Sequence, residues 1–433
     1  MRPRESVPVK SALRMNRISD KVRRMKRMFI IAALLCLLCG CGGADAYSVA
    51  VVERMEEVSE PVELTWEPIV TESPTEAPTQ TPEPTPSPTP EPPELQIVMV
   101  GDMLMHERVV ESGLQEDGSY NFDHIFANVK DTIQGADLAL VNQETILGGA
   151  ELGISGYPCF NSPFELGDAE VAAGFDVILH ATNHTLDKNK KGAVNCMEFW
   201  ETNYPEIAYL GMNPSREHQE EYIYLYEQNG ITVAILNYTY GTNGINPPSD
   251  MPYIVNYLEE DKVVSDIRRA EELADFTIVC PHWGTEYVLE ETKNQRKWAE
   301  IFLENGVDLV LGTHPHVIEP VEWLTDEAGN QMLVYYSLGN FINGTSGKGD
   351  GVMNRMVGGI ADITLSKDEE GKVYIKEYDA IPIVCHIGEG DAYTVYYLDD
   401  YTKELAEQNR IVSQAADFSF EKCIKLVEEV WNW

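Results

Sequence analysis

From residue 95 onward, short runs of apolar and largely β-branched residues alternate with longer stretches whose apolar positions recur at helical spacing. The runs fall at 95–100, 138–141, 177–179, 232–236, 277–279, 309–311 and 332–336. Segments 261–274 and 296–305 carry the helical spacing, and Gly306 follows the second as its expected C′ residue. Strands alternating with helices in this way predict an α/β domain. No internal repeat interrupts the pattern. The last stretch, 402–433, also reads as helical, so the main domain is assigned to 95–390 and a helical extension to 391–433.

Before residue 95 the pattern is different. Residues 1–27 carry ten Lys/Arg against Glu5 and Asp20, and residues 28–38 carry no charge. This is the n-region and h-region of a signal peptide. The apolar run is shorter than the roughly 20 residues a membrane span needs, although a single-pass anchor is the competing reading. Leu38-Cys39-Gly40-Cys41 resembles a bacterial lipobox, which makes 1–41 the signal peptide and Cys41 the lipidated residue. Residues 61–94 are dominated by Pro, Thr and Glu. Such a composition cannot bury a core and favours extended polyproline II. Residues 42–94 therefore read as a disordered stalk, which at about 3.1 Å per residue could span on the order of 100 Å. The expected location is extracytoplasmic, lipid-anchored to the outer face of the bacterial cell membrane.

Charge narrows the choice of partners. Without the ten basic and two acidic residues of 1–41, 22 Lys/Arg face 69 Asp/Glu, a net charge of −47. No basic face offsets that repulsion, which argues against nucleic acid as a partner. Cysteine is equally restrictive. Cys159, Cys196, Cys280, Cys385 and Cys423 are widely spaced and form no C-x-x-C pair. They read as small buried hydrophobes rather than a disulfide framework or a zinc site.

Chemistry gathers at the ends of the apolar runs. Five of them lead into Val100-Gly101-Asp102, Val141-Asn142-Gln143-Glu144, Ala181-Thr182-Asn183-His184, Pro281-His282-Trp283-Gly284 and Gly312-Thr313-His314-Pro315-His316. In parallel α/β sheets the carboxyl ends of the strands share one edge, so these side chains should meet. Taken singly, an Asp after Gly is a turn residue and a lone His a hydrogen-bonded core residue. Jointly, imidazole, carboxylate and amide oxygen form a ligand set for Mn, Fe or Zn.

The strings VGD (100–102), NQE (142–144), TNHTLD (182–187), HWGTEY (282–287), GVDLVLGTHPHVIEPVE (306–322) and YYSLGNF (335–341) resemble the successive motifs of the CapA-type capsule-synthesis (poly-γ-glutamate) family. The resemblance implies a calcineurin-like metallophosphatase fold, a β-sandwich flanked by helices. It also implies a role in making, exporting or anchoring poly-γ-glutamate or a similar surface polymer. By the same resemblance Asp102 is a terminal metal ligand and Glu144 a bridging one. Asn183, His282 and His314 complete one metal site, and His316 belongs to the other. His184 corresponds to the histidine that protonates the leaving group or stabilises its charge. One or two divalent ions are expected.

Leu104 departs from the pattern, because metallophosphatases carry Asp-x-His where this chain has Asp102-Met103-Leu104. His106 substitutes only if the turn brings it inward. Lys188, Lys190 and Lys191 read either as contacts for an anionic polymer or as a solvated loop. Glu286 either orients a ligand histidine or bonds a backbone amide, Asn340 is either a site or a turn residue, and Asp187 is expected to fix its own loop. Two functional classes stand: a metal-dependent hydrolase or transferase, and a polymer-binding or scaffolding subunit of a membrane synthase. A solute-binding lipoprotein fits the anchor and stalk but not the His/Asp/Asn series.

Overall fold

A computed structural model describes residues 92–431. The segment read as a signal peptide, Cys41, and the segment read as a stalk, up to residue 91, lie outside the described residues. Fourteen strands are present among those described: β1 Glu94–Leu104, β2 Leu138–Asn142, β3 Val177–Leu179, β4 Ala208–Leu210, β5 Tyr224–Gln228, β6 Ile231–Thr239, β7 Phe276–His282, β8 Leu309–Leu311, β9 Val321–Thr325, β10 Gln331–Tyr335, β11 Asn340–Asn343, β12 Val357–Lys367, β13 Val373–Ile387 and β14 Tyr393–Tyr397. All seven apolar runs are strands.

They form two sheets, one ordered β14-β13-β12-β1-β2-β3-β4 with β11 also on β1, the other β5-β6-β7-β8-β10-β9. The sheets pack face to face. Ile97, Met99, Leu140 and Leu179 of the first meet Val233, Ile235, Ile278, Leu309 and Tyr335 of the second in a fully apolar layer. Alternate residues point outward, as the strand period of two requires. Val98, Val100, Val141 and Ile178 pack beneath helices contributing Leu166, Trp200, Leu426 and Val427. On the other side Ala234, Val279, Val310 and Val334 meet Val263, Ile267, Trp298 and Phe302. The result is the α/β sandwich flanked by helices that the sequence led us to expect, and strands covered on both faces read as continuous apolar runs.

The two expected helices are Glu260–Leu273 and Lys293–Glu304. A capping box at Thr292 and Gln295 starts the second. Gly306 ends it at φ 105°, its N–H donating to the Leu303 carbonyl and that of Val307 to Phe302, the Schellman pattern. The stretch after 402 contains helices Lys403–Gln408 and Phe420–Trp431 with a 3₁₀ turn between them. The second turns Cys423, Leu426, Val427 and Val430 inward. No described helix is long and apolar enough to cross a membrane.

β1 positions the site. Its residues 94–100 pair antiparallel with β12, and its residues 97–102 pair parallel with β2. At Asp102 β11 takes over from β12, with Asp102 opposite Asn340, and the register shifts on both sides of that residue. Such a bulge re-aims the side chain it carries.

Candidate metal centre

The carboxyl ends of β1, β2 and β3 in one sheet and of β6, β7 and β8 in the other open onto a common cleft. Glycine permits the approach. A Cβ on Gly101 would collide with the Gly339 carbonyl oxygen, and one on Gly312 with that of Tyr336. Each of these glycines stands just before a site residue or its Thr neighbour.

Within the cleft, Asp102 Oδ1 accepts from Asn142 Nδ2 at 2.8 Å and Oδ2 lies 3.0 Å from His316 Nδ1. Glu144 Oε1 is 3.6 Å from His316 Nε2, 3.7 Å from His282 Nε2 and 4.0 Å from His184 Nε2. His282 Nε2 sits 3.0 Å from Asn183 Oδ1, while its Nδ1 meets Thr313 Oγ1 at 3.1 Å. The rings of His282 and His314 are 4.8 Å apart. The six residues assigned as metal ligands are thus brought together. Glu144, His314 and His316 further present ligand atoms all within 4.8 Å of one another.

The electrostatics suit a cation. Burial raises the Glu144 carboxyl well above the ordinary range, with Asp102 adding repulsion against the attraction of His316. Both Glu144 oxygens, His314 Nδ1 and Asn142 Oδ1 are buried without a hydrogen-bond partner. Such groups are costly unless something satisfies them. Burial, then neighbouring histidines, push His282 and His314 well below the usual imidazole range, which leaves them neutral and able to donate lone pairs. Burial works to lower His316 as well, but Glu144 and Asp102 outweigh it and raise it to about 9. A divalent ion would satisfy the orphaned atoms, and the donor set of imidazole, carboxylate and amide fits Mn, Fe or Zn.

Backbone strain concentrates here too. His314 and His316 adopt φ 100° and 60°, and Tyr287 and Asn243 adopt 67° and 50°. For residues other than glycine such conformations persist only where the surroundings enforce them.

His184 occupies the rim. Its Nδ1 lies 2.7 Å from Asp187 Oδ2, which also accepts the Phe160 N–H at 2.7 Å, and its ring meets Phe160 edge-on at 4.6 Å. Asp187 therefore fixes its loop and also orients His184. Because a carboxylate can only accept, Nδ1 carries the proton and Nε2 faces the cleft.

Other residues fall as follows. Leu104 is buried, and His106 begins the helix Glu107–Ser112 with its ring 5.2 Å from that of Phe160. Burial, then His316, His184 and Arg355, lower His106 to about 4. Lys190 pairs with Asp250, and Lys191 lies 3.9 Å from Glu151; Lys188 precedes the helix Asn189–Asn203. Glu286 is exposed at the mouth. Asn340 Nδ2 donates to the carbonyls of His316 (3.0 Å) and Arg355 (2.9 Å), a structural clamp beside the site. Four of the five cysteines after residue 41 are buried as expected, whereas Cys159 is exposed.

Sequence reasoning gave no role to Asn142, Asn243, Tyr240 or Arg355. Asn142 and Asn243 were within reach, since both stand at or just beyond the carboxyl end of a strand. Tyr240, whose ring is 4.6 Å from His314, also follows β6. Arg355 carries no such signal.

Comparison with known proteins places the chain among relatives. The chain is 26% identical over 263 residues to the PGA biosynthesis protein CapA of Bacillus subtilis, covering 57% of this chain and 63% of that one. It is 25% identical over 262 residues to the capsule biosynthesis protein CapA of Bacillus anthracis, covering 58% and 60%. The chain thus spans less than two thirds of either relative. Among solved structures, a phosphatase from Mycoplasma pneumoniae aligns over 68% of this chain and 94% of its own at 16% identity, with a TM-score of 0.40. The family model for the bacterial capsule synthesis protein PGA_cap matches residues 96–345, the stretch that holds all six assigned ligands together with His184, and the chain belongs to that family.

Proposed function

We propose that this protein is an extracytoplasmic, metal-dependent hydrolase or transferase that acts on a phosphoester or amide of an anionic surface polymer, poly-γ-glutamate or a similar one, during capsule biosynthesis. Family membership supports the polymer pathway. The observation that carries the chemistry is the buried donor cluster with both Glu144 oxygens orphaned, set beside a histidine that faces it without belonging to it. Asp102, Glu144, Asn183, His282, His314 and His316 hold one or two ions of Mn, Fe or Zn. Such an ion supplies Lewis acidity toward the oxygen of the scissile group.

The chain's own residues do the rest. Asp187 holds His184 in one tautomer, so Nε2 is free to pass a proton to or from the reacting group. Asn142 braces Asp102, and Thr313 braces His282. Phe160 packs edge-on against the His184 ring and helps hold it in place. Cys41 anchors the chain to the membrane, the stalk holds the domain away from it, and a membrane synthase is the partner that supplies polymer.

Leu104 favours a second reading, a polymer-holding subunit, because it removes a histidine that related phosphatases place at this point. The test separates the two. His184→Ala should retain metal and fold yet lose roughly 10²- to 10⁴-fold in rate, the usual contribution of acid–base help, and cells carrying it should make little polymer. Full polymer output at normal protein levels would defeat the catalytic reading.

A further inference from the structure

The described residues are strongly acidic, and several cations are matched with carboxylates: partly buried Lys262 with Asp266 at 2.6 Å, exposed Arg296 with Glu291 and Glu322, and partly buried Lys367 with Asp275 at 3.1 Å. Arg355 is not so matched. Among the described residues no carboxylate lies within 4.0 Å of it. Its Nη1 donates to Thr345 Oγ1 at 3.0 Å, and its Nε is buried with no acceptor. The guanidinium carbon lies 3.5 Å from the centre of the Tyr287 ring.

That cation is also held in a fixed place. Asn340 ties the Arg355 carbonyl to the His316 carbonyl, so the base of the side chain is set against the metal cluster. The Tyr287 ring beneath it is 6.0 Å from that of His316, and the Tyr287 N–H donates to the Pro315 carbonyl. A guanidinium stacked on an aromatic face keeps its edge donors for a planar or tetrahedral oxyanion, which it can grip with two parallel hydrogen bonds. Leaving such a group partly buried without an anion is unfavourable, and an incoming anion relieves it.

We infer that Arg355, stacked on Tyr287, is the substrate-anchoring residue of this site and receives an oxyanion, carboxylate or phosphate, borne by the substrate next to the bond that reacts. The inference rests on the reading of the cleft as a site for an anionic polymer. It adds Arg355 to the candidate anion contacts: Lys190 and Lys191 already face Asp250 and Glu151, while Lys188 has no ion pair among the described residues. Arg355 lies outside the 96–345 stretch matched by the family model, so its role is argued from this chain's own geometry.

The test is a calorimetric titration of the full-length chain with two probes, inorganic phosphate and a γ-linked glutamate pentamer, at fixed low ionic strength. Wild type, Arg355→Gln and Arg355→Lys are compared, each loaded with Mn and stripped of metal. Arg355→Gln should keep its metal content and lose at least about tenfold in affinity for one probe, the usual consequence of removing a charge-assisted pair. The probe that responds identifies the anion as carboxylate or phosphate. Arg355→Lys should recover part of the loss, because it restores charge without the fork, and it serves if the glutamine variant fails to fold. The loss should persist in stripped protein, so a wild type that holds no metal would fail the hydrolase reading while still testing this one. Unchanged affinity for both probes in folded Arg355→Gln and Arg355→Lys, or no binding of either probe by wild type, would overturn the inference.

Discussion

His184 and His282 share one cleft but meet different partners, and that difference separates proton transfer from ligation. Both nitrogens of His282 are buried among Asn183, Thr313 and Glu144, whereas His184 is pinned by Asp187 on one side only. Asp187→Asn should accordingly lower the rate about 10- to 100-fold, as loss of an orienting partner does, with metal content unchanged. A parallel loss of metal would place His184 among the ligands. Position, chemistry and strand-end spacing made His184, His282 and their companions legible in the sequence. The pairing of Asp187 with His184 was not, because an aspartate three residues on serves a turn equally well. Arg355 was invisible, since only the path of β11 brings it back to His316.

Glu170 illustrates the same limit away from the site. Both its oxygens are buried without partners, and burial holds its carboxyl well above the ordinary value of 4.5. The unfolded chain loses this proton near 4.5 while the folded one keeps it, so stability falls as pH rises above that value. Glu170→Gln keeps the protonated shape without titrating. Thermal melts from acid to mildly alkaline pH should show the two proteins nearest below the ordinary glutamate range and the variant increasingly favoured above it. A gap that does not change with pH would contradict the assignment.

At the scale of elements, the legible strands are those covered on both faces, and the others were hidden for physical reasons. β5 and β9 lie at sheet edges with alternating exposure, so no continuous apolar run marks them. β12 buries Asp362, Thr364 and Ser366 and opens with two glycines after Val357, while β13 is interrupted by charges and Pro382. β4 closes the edge of its sheet and is only partly buried. The structure shows why glycine stands before the site residues. Gly101→Ala would force β1 away from the Gly339 carbonyl and cost about 1–3 kcal/mol by overpacking. Since Asp102 is the next residue, metal content should fall with it. Gly241→Ala, which meets open space, should change the unfolding free energy in urea titrations by no more than about 0.5 kcal/mol. Equal effects from the two substitutions would show that close approach is not what selects glycine at 101.

For the whole molecule, two sheets place six strand ends on one cleft, and no single motif would have been persuasive without that convergence. The sandwich accounts for the apolar runs, and the buried orphaned donors are what an ion would satisfy. Metal analysis of the purified full-length chain, grown with Mn, Fe and Zn supplied and compared with His282→Ala, tests this most directly. The account predicts one or two transition-metal ions per wild-type chain, and at least a tenfold loss in the variant, no smaller than losses from outlying positions. A wild type that retains no metal, or a His282→Ala protein that retains as much as wild type, would contradict it and reduce the cluster to buried polar packing.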